Sequence, residues 1–339
     1  MKAIRFLLFP FAVLYDLITS LRNLLYNKGI FKSTVFDLPI IAVGNLNVGG
    51  TGKSPQIEYL IRLLQNQFKV AVLSRGYKRK TTGYVLIDST HSAEDVGDEP
   101  LQFFKKFPKI SAAVDANRVN GIQQLQSNVN PEVILLDDAF QHRKVKAGFY
   151  ILLTKYGDLY ANDFLLPTGN LRESRAGVKR AHVIVVTKCP QNLSKAEQER
   201  IQKKLRTNAN QAVFFSTISY HSKTKGFQQV SLENLKDYEV VLVTGIANPK
   251  PLLNFLNEQQ VKVQHLEYPD HHNFSAQEIQ KIKSVFDDNT SAKKILLTTE
   301  KDYMRLSDKI SSLSYIEIES AFLSNKENFD KIVLSQVKE

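Results

Sequence analysis

Between Leu38 and Leu64 the chain admits one local architecture, a buried strand turning through glycines into a helix. Leu38-Pro39-Ile40-Ile41-Ala42-Val43 is short, apolar and β-branched, the pattern of a strand covered on both faces. Gly44-Asn45-Leu46-Asn47-Val48-Gly49-Gly50-Thr51-Gly52-Lys53-Ser54-Pro55 follows, and Ile57, Leu60, Ile61 and Leu64 then recur at helical spacing. This is the order of a phosphate-binding loop (P-loop). Glycines let backbone N–H groups curl around an anion, and the helix N-terminus adds partial positive charge. Asn47, Val48, Gly49, Gly50, Thr51, Gly52, Lys53 and Ser54 form the candidate nucleotide cradle. Lys53 would reach the β- and γ-phosphates and the Ser54 hydroxyl would bind Mg²⁺. In the usual spacing the first glycine falls at Asn47, so Gly49 and Gly50 must supply the flexibility. Pro55 suits the first helical turn, where no backbone donor is needed.

A loop of this kind needs a second metal anchor at the end of another buried strand. Glu132-Val133-Ile134-Leu135-Leu136-Asp137-Asp138 supplies paired carboxylates directly after an apolar run. Asp137 and Asp138 can hold the ion directly or through its water shell. Gly97-Asp98-Glu99-Pro100 precedes an amphipathic pattern of Leu101, Phe104 and Phe107. It reads either as an acidic helix start or as the source of a carboxylate that takes the proton from an acceptor hydroxyl.

The 339 residues carry 45 Lys+Arg against 34 Asp+Glu, a net charge of +11 that calls for an acidic partner. The bases gather around the nucleotide side of the sequence. Ser74-Arg75-Gly76-Tyr77-Lys78-Arg79-Lys80 follows the strand-like Val70 to Leu73, and His142-Arg143-Lys144-Val145-Lys146 follows the acidic pair. Leu171-Arg172-Glu173, Arg175, Lys179 and Arg180 come next. An apolar content of 43% with 23% charged residues excludes a largely disordered chain. The lone Cys189 cannot form an internal disulfide, which fits a reducing compartment.

Near the amino terminus, Leu14, Leu17, Ile18, Leu21, Leu24 and Leu25 recur at helical spacing, interrupted by Asp16, Arg22 and Asn23. Lys2, Arg5, Lys28 and Lys32 flank this pattern. The longest uncharged stretch, Phe6 to Tyr15, contains Pro10 and falls short of the roughly 20 apolar residues of a spanning helix. No small-residue cleavage site of a secretory signal follows it. Two readings stand side by side: a helix packed on its own domain, or one lying in the interface of an anionic membrane.

In the second half, Glu239 to Thr244, Val261 to Leu266 and Lys294 to Thr298 read as strands, with a helix carrying Leu252, Leu253, Phe255 and Leu256 between the first two. Lys223 to Glu239 is polar and reads as a linker region. In Pro269-Asp270-His271-His272-Asn273-Phe274 the adjacent histidines cannot face the same way. Either is a satisfied structural histidine, or one meets an acid across a cleft. A zinc site would want further Cys or His at suitable spacing. The expected fold is α/β. A P-loop NTPase-type, mostly parallel sheet domain spans 37–225, a second, smaller α/β domain spans 226–339, and an amphipathic helix occupies 1–36.

The ordered set G-N-L-N-V-G-G-T-G-K-S-P, S-R-G-Y, V-G-D-E-P, L-L-D-D-A-F-Q-H-R, L-R-E and D-H-H resembles the tetraacyldisaccharide 4′-kinase family of Gram-negative bacteria. The resemblance implies a lipid kinase that moves the γ-phosphate of ATP, with Mg²⁺, to the 4′-hydroxyl of tetraacyldisaccharide 1-phosphate in lipid A biosynthesis. It implies a peripheral protein on the cytoplasmic face of the inner membrane, held there by the amino-terminal helix. Its partners would be the disaccharide 1-phosphate precursor and an anionic membrane surface, with neither nucleic acid nor an obligate protein partner. By the same resemblance Asp98 is the catalytic base and His271 its partner, with Lys53 on the phosphates. Ser54, Asp138, Asp137 and Glu99 form the metal side, with Asp138 the preferred ligand of the acidic pair. Arg75, Arg172 and Glu173 fall in motifs tied to the substrate and to the organisation of the active site. Ser54 stands where Thr is commoner, and Ala139 stands where Gly is usual beside the metal.

Two rivals are weaker. A GTPase would carry [NT]-K-x-D after an apolar strand, but Thr187-Lys188-Cys189-Pro190 places proline at the selective aspartate. A nucleic-acid binder would interleave bases with exposed aromatics, whereas here the basic runs flank phosphate-transfer motifs and Trp is absent.

Overall fold

The computed structural model describes residues 5–338, so Lys2 lies outside the described residues. Its strands are β1 (Ile40–Asn45), β2 (Val70–Ser74), β3 (Val85–Leu86), β4 (Ser111–Val114), β5 (Val133–Leu136), β6 (Phe149–Lys155), β7 (Val183–Thr187), β8 (Ala212–Tyr220), β9 (Lys225–Gly226), β10 (Glu239–Thr244), β11 (Lys262–Glu267), β12 (Lys294–Thr299), β13 (Leu313–Ile316) and β14 (Ile318–Phe322). They form a nine-stranded sheet ordered β14-β8-β7-β6-β1-β5-β2-β4-β3 and a five-stranded sheet ordered β11-β10-β12-β13-β9. In the larger sheet only β14 against β8 and β3 against β4 are antiparallel.

Strand β1 is central, with β5 on one side and β6 on the other, so all of Ile40–Asn45 is buried. Because β1, β2 and β5 run parallel, their carboxyl ends open on one edge. The glycine-rich loop, Arg75 and Asp137-Asp138 therefore emerge together, at the crevice where open α/β sheets bind ligands. The helix Lys53–Leu64 buries Ile57, Leu60, Ile61 and Leu64 in one cluster with Val43, Val72 and Leu135. These are the positions whose spacing predicts the helix.

The carboxyl terminus departs from the expected division at 226–339. Strand β14 pairs with β8, and the last helix, Lys326–Lys338, buries Phe329, Val333 and Val337 in the same core as Leu60 and Ile61. Tyr59 of the loop helix donates its hydroxyl to Asp330 Oδ1 at 2.5 Å. The smaller sheet is thus inserted between β8 and β14, and the tail returns to the first sheet because its apolar face completes that core. The 223–239 segment is also more than a linker. Thr224 bonds Val230 through both backbone and hydroxyl, and Val230, Leu232 and Leu235 are buried against Val240 and Leu242.

The amino-terminal helix spans Phe9–Asn27 and buries only Ala12 and Thr19. Leu14, Leu17, Ile18, Leu21 and Leu24 are 50–63% exposed. No helix among the described residues is long and apolar enough to cross a membrane.

Candidate active site

The glycine-rich loop is shaped by close approach. A Cβ on Gly44 would stand 2.6 Å from Phe140 Cβ, so glycine lets the D-D-A-F segment lie directly on β1. Gly52 caps the loop helix at φ +86°, a conformation side-chain-bearing residues resist. Asn47 is buried and donates to Asp163 Oδ2 at 2.9 Å, and the Val48 N–H donates to Asn170 O at 2.8 Å. Asn47 therefore braces the loop from behind. Lys188 Nζ donates to Gly50 O at 2.8 Å, and Thr187 Oγ1 donates to Thr51 O at 2.7 Å. The first helical N–H groups, at Lys53 and Ser54, have no intrahelical acceptor and are available to an anion.

At the end of β5 the two aspartates differ. Asp138 sits at φ +47° and takes a bidentate fork from Arg172, Nη2 to Oδ1 at 2.8 Å and Nη1 to Oδ2 at 3.1 Å. Lys53 Nζ stands 3.8 Å from the same Oδ1. Burial works against ionisation of Asp138, but Lys53 and Arg172 outweigh it and hold the pKa below the ordinary value. The left-handed residue is Asp138 and not its neighbour, so Ala139 needs no glycine freedom. Asp137 is buried, accepts from Ser74 Oγ at 3.1 Å through Oδ2, and leaves Oδ1 without a partner. Burial, then the charges of Glu99 and Asp138, push its pKa up to about 7.

Glu99 completes this acidic side. Its Oε1 accepts from Ser54 Oγ at 2.6 Å and from Lys301 Nζ at 2.6 Å. Burial alone would raise its pKa, but the Lys301 charge and the hydrogen bonds of Lys301 and Ser54 bring it to about 2. Glu99 belongs to the helix Asp98–Lys106, and Asp98 at its start faces the other sheet. His271 Nδ1 lies 2.8 Å from Asp98 Oδ2, and Arg305 Nε lies 3.7 Å from the same oxygen. The two readings of the histidine pair divide between its members. His272 Nε2 bonds Glu278 Oε1 at 2.9 Å and stacks on Tyr268, a structural role.

The remaining candidates separate by exposure. Arg75 is exposed at the end of β2. Glu173, expected near the substrate, is fully buried and accepts from Arg180 at 2.8 Å, Gln141 at 2.9 Å and Asn23 at 2.9 Å. It has no surface left for a ligand, so its place is that of a strut. Asn23, with Tyr15 donating to Arg172 O at 2.8 Å, docks the polar side of the amino-terminal helix on the segment that presents Arg172 to Asp138. Lys301 and Arg305, both on the helix Glu300–Leu306, are site residues that motif reading misses. The one available signal is a lysine placed just after the apolar strand Lys294–Thr299, on a helix capped by the Thr299 hydroxyl.

Comparison with known proteins adds an independent finding. The family model described as Tetraacyldisaccharide-1-P 4'-kinase matches residues 4–338. A curated tetraacyldisaccharide 4'-kinase of Flavobacterium johnsoniae is 55% identical, with 100% of this chain and 99% of that protein covered. Its counterpart in Flavobacterium psychrophilum is 52% identical, covering 100% of this chain and 98% of its own. Among solved structures, LpxK from Aquifex aeolicus in complex with ATP superposes with a TM-score of 0.80 at 30% identity, covering 98% of this chain and 99% of that one.

Proposed function

The chain belongs to the tetraacyldisaccharide-1-P 4'-kinase family, and from that premise we propose that it transfers the γ-phosphoryl of ATP to the 4′-hydroxyl of a tetraacyldisaccharide 1-phosphate, in lipid A biosynthesis. One observation carries the reading. Asp98, paired with His271, is the chain neighbour of Glu99, which bonds the loop hydroxyl of Ser54. A proton acceptor is thereby fixed beside a phosphate-binding loop.

ATP lies along residues 48–54, with Asn47 bracing them from behind and Lys53 on its phosphates. Asp98 takes the proton from the 4′-hydroxyl as the new O4′–phosphorus bond forms and the bond to ADP breaks. His271 orients that carboxylate. Ser54, Glu99, Asp137 and Asp138 would hold Mg²⁺, whose charge offsets that building on the transferred phosphoryl. The residues fit such an ion. The donors are all oxygen, three carboxylates repel one another there, and Asp137 Oδ1 is buried without a partner. Among the described residues no three His, Cys, Asp or Glu side chains are placed to hold one ion together, so Ser54 with one or two of these carboxylates would bind it directly and the others through its water shell. That suits Mg²⁺, which takes few protein ligands and completes its shell with phosphate and water.

Arg75, exposed at the crevice, is suited to an anionic group of the substrate, while Arg172 holds Asp138 and Glu173 holds the segment behind it. The exposed apolar side of the Phe9–Asn27 helix would enter the interface of an anionic membrane from the cytoplasmic face, making the protein peripheral. Neither nucleic acid nor an obligate protein partner enters this reading. The test is transfer of label from γ-³²P-ATP to disaccharide 1-phosphate in detergent micelles. Labelled lipid is expected, and its absence would end the proposal.

A further inference from the structure

Lys301 belongs to the inserted smaller unit, yet its ammonium reaches the loop chemistry. Glu99 Oε1 is shared between Ser54 Oγ and Lys301 Nζ, each at 2.6 Å. The base of Lys301 is fixed, because Thr299 Oγ1 caps its helix and the neighbouring Glu300 bonds Lys106 Nζ at 2.9 Å. Its tip is not. The side chain is 32% exposed and carries a flexible stem. Lys106 and Glu99 lie on one helix, Asp98–Lys106, so the second unit grips that helix at both ends.

We propose that Lys301 is a positioning residue for the metal–nucleotide, its ammonium and a divalent cation taking turns on Glu99. A dication on Glu99 and the ammonium on its Oε1 repel each other in a partly buried site, so each weakens the other's hold on that carboxylate. When the cation arrives with ATP, the displaced ammonium has polyphosphate oxygens as its next partner, and the second unit is drawn onto the nucleotide. The cation alone offers no such compensation. Lys301 therefore opposes binding of the bare metal and favours binding of the metal–nucleotide. This rests on Ser54 and Glu99 forming the metal side proposed above.

The test uses Mn²⁺ as the probe, its free concentration followed by electron paramagnetic resonance, on the full chain and on Lys301→Met, with Lys301→Gln as the second variant. The expected result is bare Mn²⁺ bound about tenfold more tightly by the variants, while their KM for ATP rises about tenfold. Lys301→Arg should keep both values near those of the parent. A role confined to packing would lower both affinities or move neither. Unchanged or weaker Mn²⁺ binding in variants with normal thermal melts overturns the competition and leaves the metal side standing. Mn²⁺ bound by neither parent nor variant removes the metal side and this proposal with it.

Discussion

His271 Nδ1 and Asp98 Oδ2 meet at 2.8 Å across the boundary between the two sheets. His271 is held for this contact by its backbone. It sits at φ +56° and donates its N–H to Gly245 O at 3.0 Å, on the loop that leaves β10. Asp98 is held by Gly97, whose φ of +95° starts the helix behind it.

If Asp98 takes the substrate proton, Asp98→Asn should lower kcat by about 10³, within the usual range for a lost general base. ATP affinity should stay within a few-fold, because Asp98 is outside the loop. His271→Ala should cost less, about tenfold, since it removes an orienting contact and not the acceptor. Single-turnover transfer together with ATP titration separates the two quantities. Near-normal turnover of Asp98→Asn would take it out of the mechanism.

Asp137 gives the site a pH signature. Its pKa is pushed up to about 7 by burial and by Glu99 and Asp138, so it is protonated on the acid side of that value. A cation requires the carboxylate form. Divalent-metal affinity should therefore fall as pH drops through about 7, approaching a tenfold loss per unit if Asp137 is a ligand. Mn²⁺ titration at successive pH values checks this. Asp137→Asn should bind more weakly overall and show a flatter profile, and an equally steep profile in that variant would assign the titration elsewhere.

Lys106 predicts stability. Its ammonium contacts Glu58 at 2.6 Å, Glu300 at 2.9 Å and Glu317 at 2.5 Å, joining the loop helix, the inserted unit and the crossing back to β14. Lys106→Met removes the ammonium that three buried acids share, leaving Glu58 with Gln102 and Arg62 and Glu317 with Lys225, and should cost about 3–5 kcal/mol, read in denaturant unfolding. Burial, then the charge of Glu58, pushes Glu300 from 4.5 up to about 8. The folded state thus holds a proton that the unfolded chain releases. The stability this contributes is complete below about pH 4.5 and is lost as pH rises through about 8. The melting temperature should decline across that window, and Glu300→Gln should flatten the decline. Equal slopes in parent and variant would refute the assignment.

The parts legible in the sequence are those written locally. The strand, glycine loop and helix between Leu38 and Leu64 follow from spacing, and Asp137-Asp138 follows from an apolar run ending in carboxylates. The return of the tail was illegible because the pairing of Ile318 with Tyr220 spans the whole inserted unit. Lys301 was illegible for a related reason. Only its place just after an apolar strand marks it until Glu99, distant in sequence, lies beside it. The same holds for the histidines, whose different tasks depend on Asp98 and Glu278 as partners. Glu173 shows the opposite error, in which a charged residue within a functional motif turns out to be buried and fully engaged.

The amino-terminal helix separates membrane binding from folding. Leu14, Leu17 and Leu21 are more than half exposed, so replacing all three with Ser removes little buried area. Stability should move by no more than about 0.5 kcal/mol per site, the usual range for surface positions. Each leucine seated in an interface contributes far more than that to partitioning, about 1.5–3 kcal/mol if fully buried. The triple variant should melt like the parent, yet lose sedimentation with vesicles containing anionic lipid. Its turnover of a short-chain soluble acceptor should be spared, because Tyr15 and Asn23, which dock the helix on the Arg172 segment, are untouched. A variant that still sediments fully with vesicles would place membrane contact elsewhere on the molecule. One that unfolds would show that the leucines pack against the protein after all.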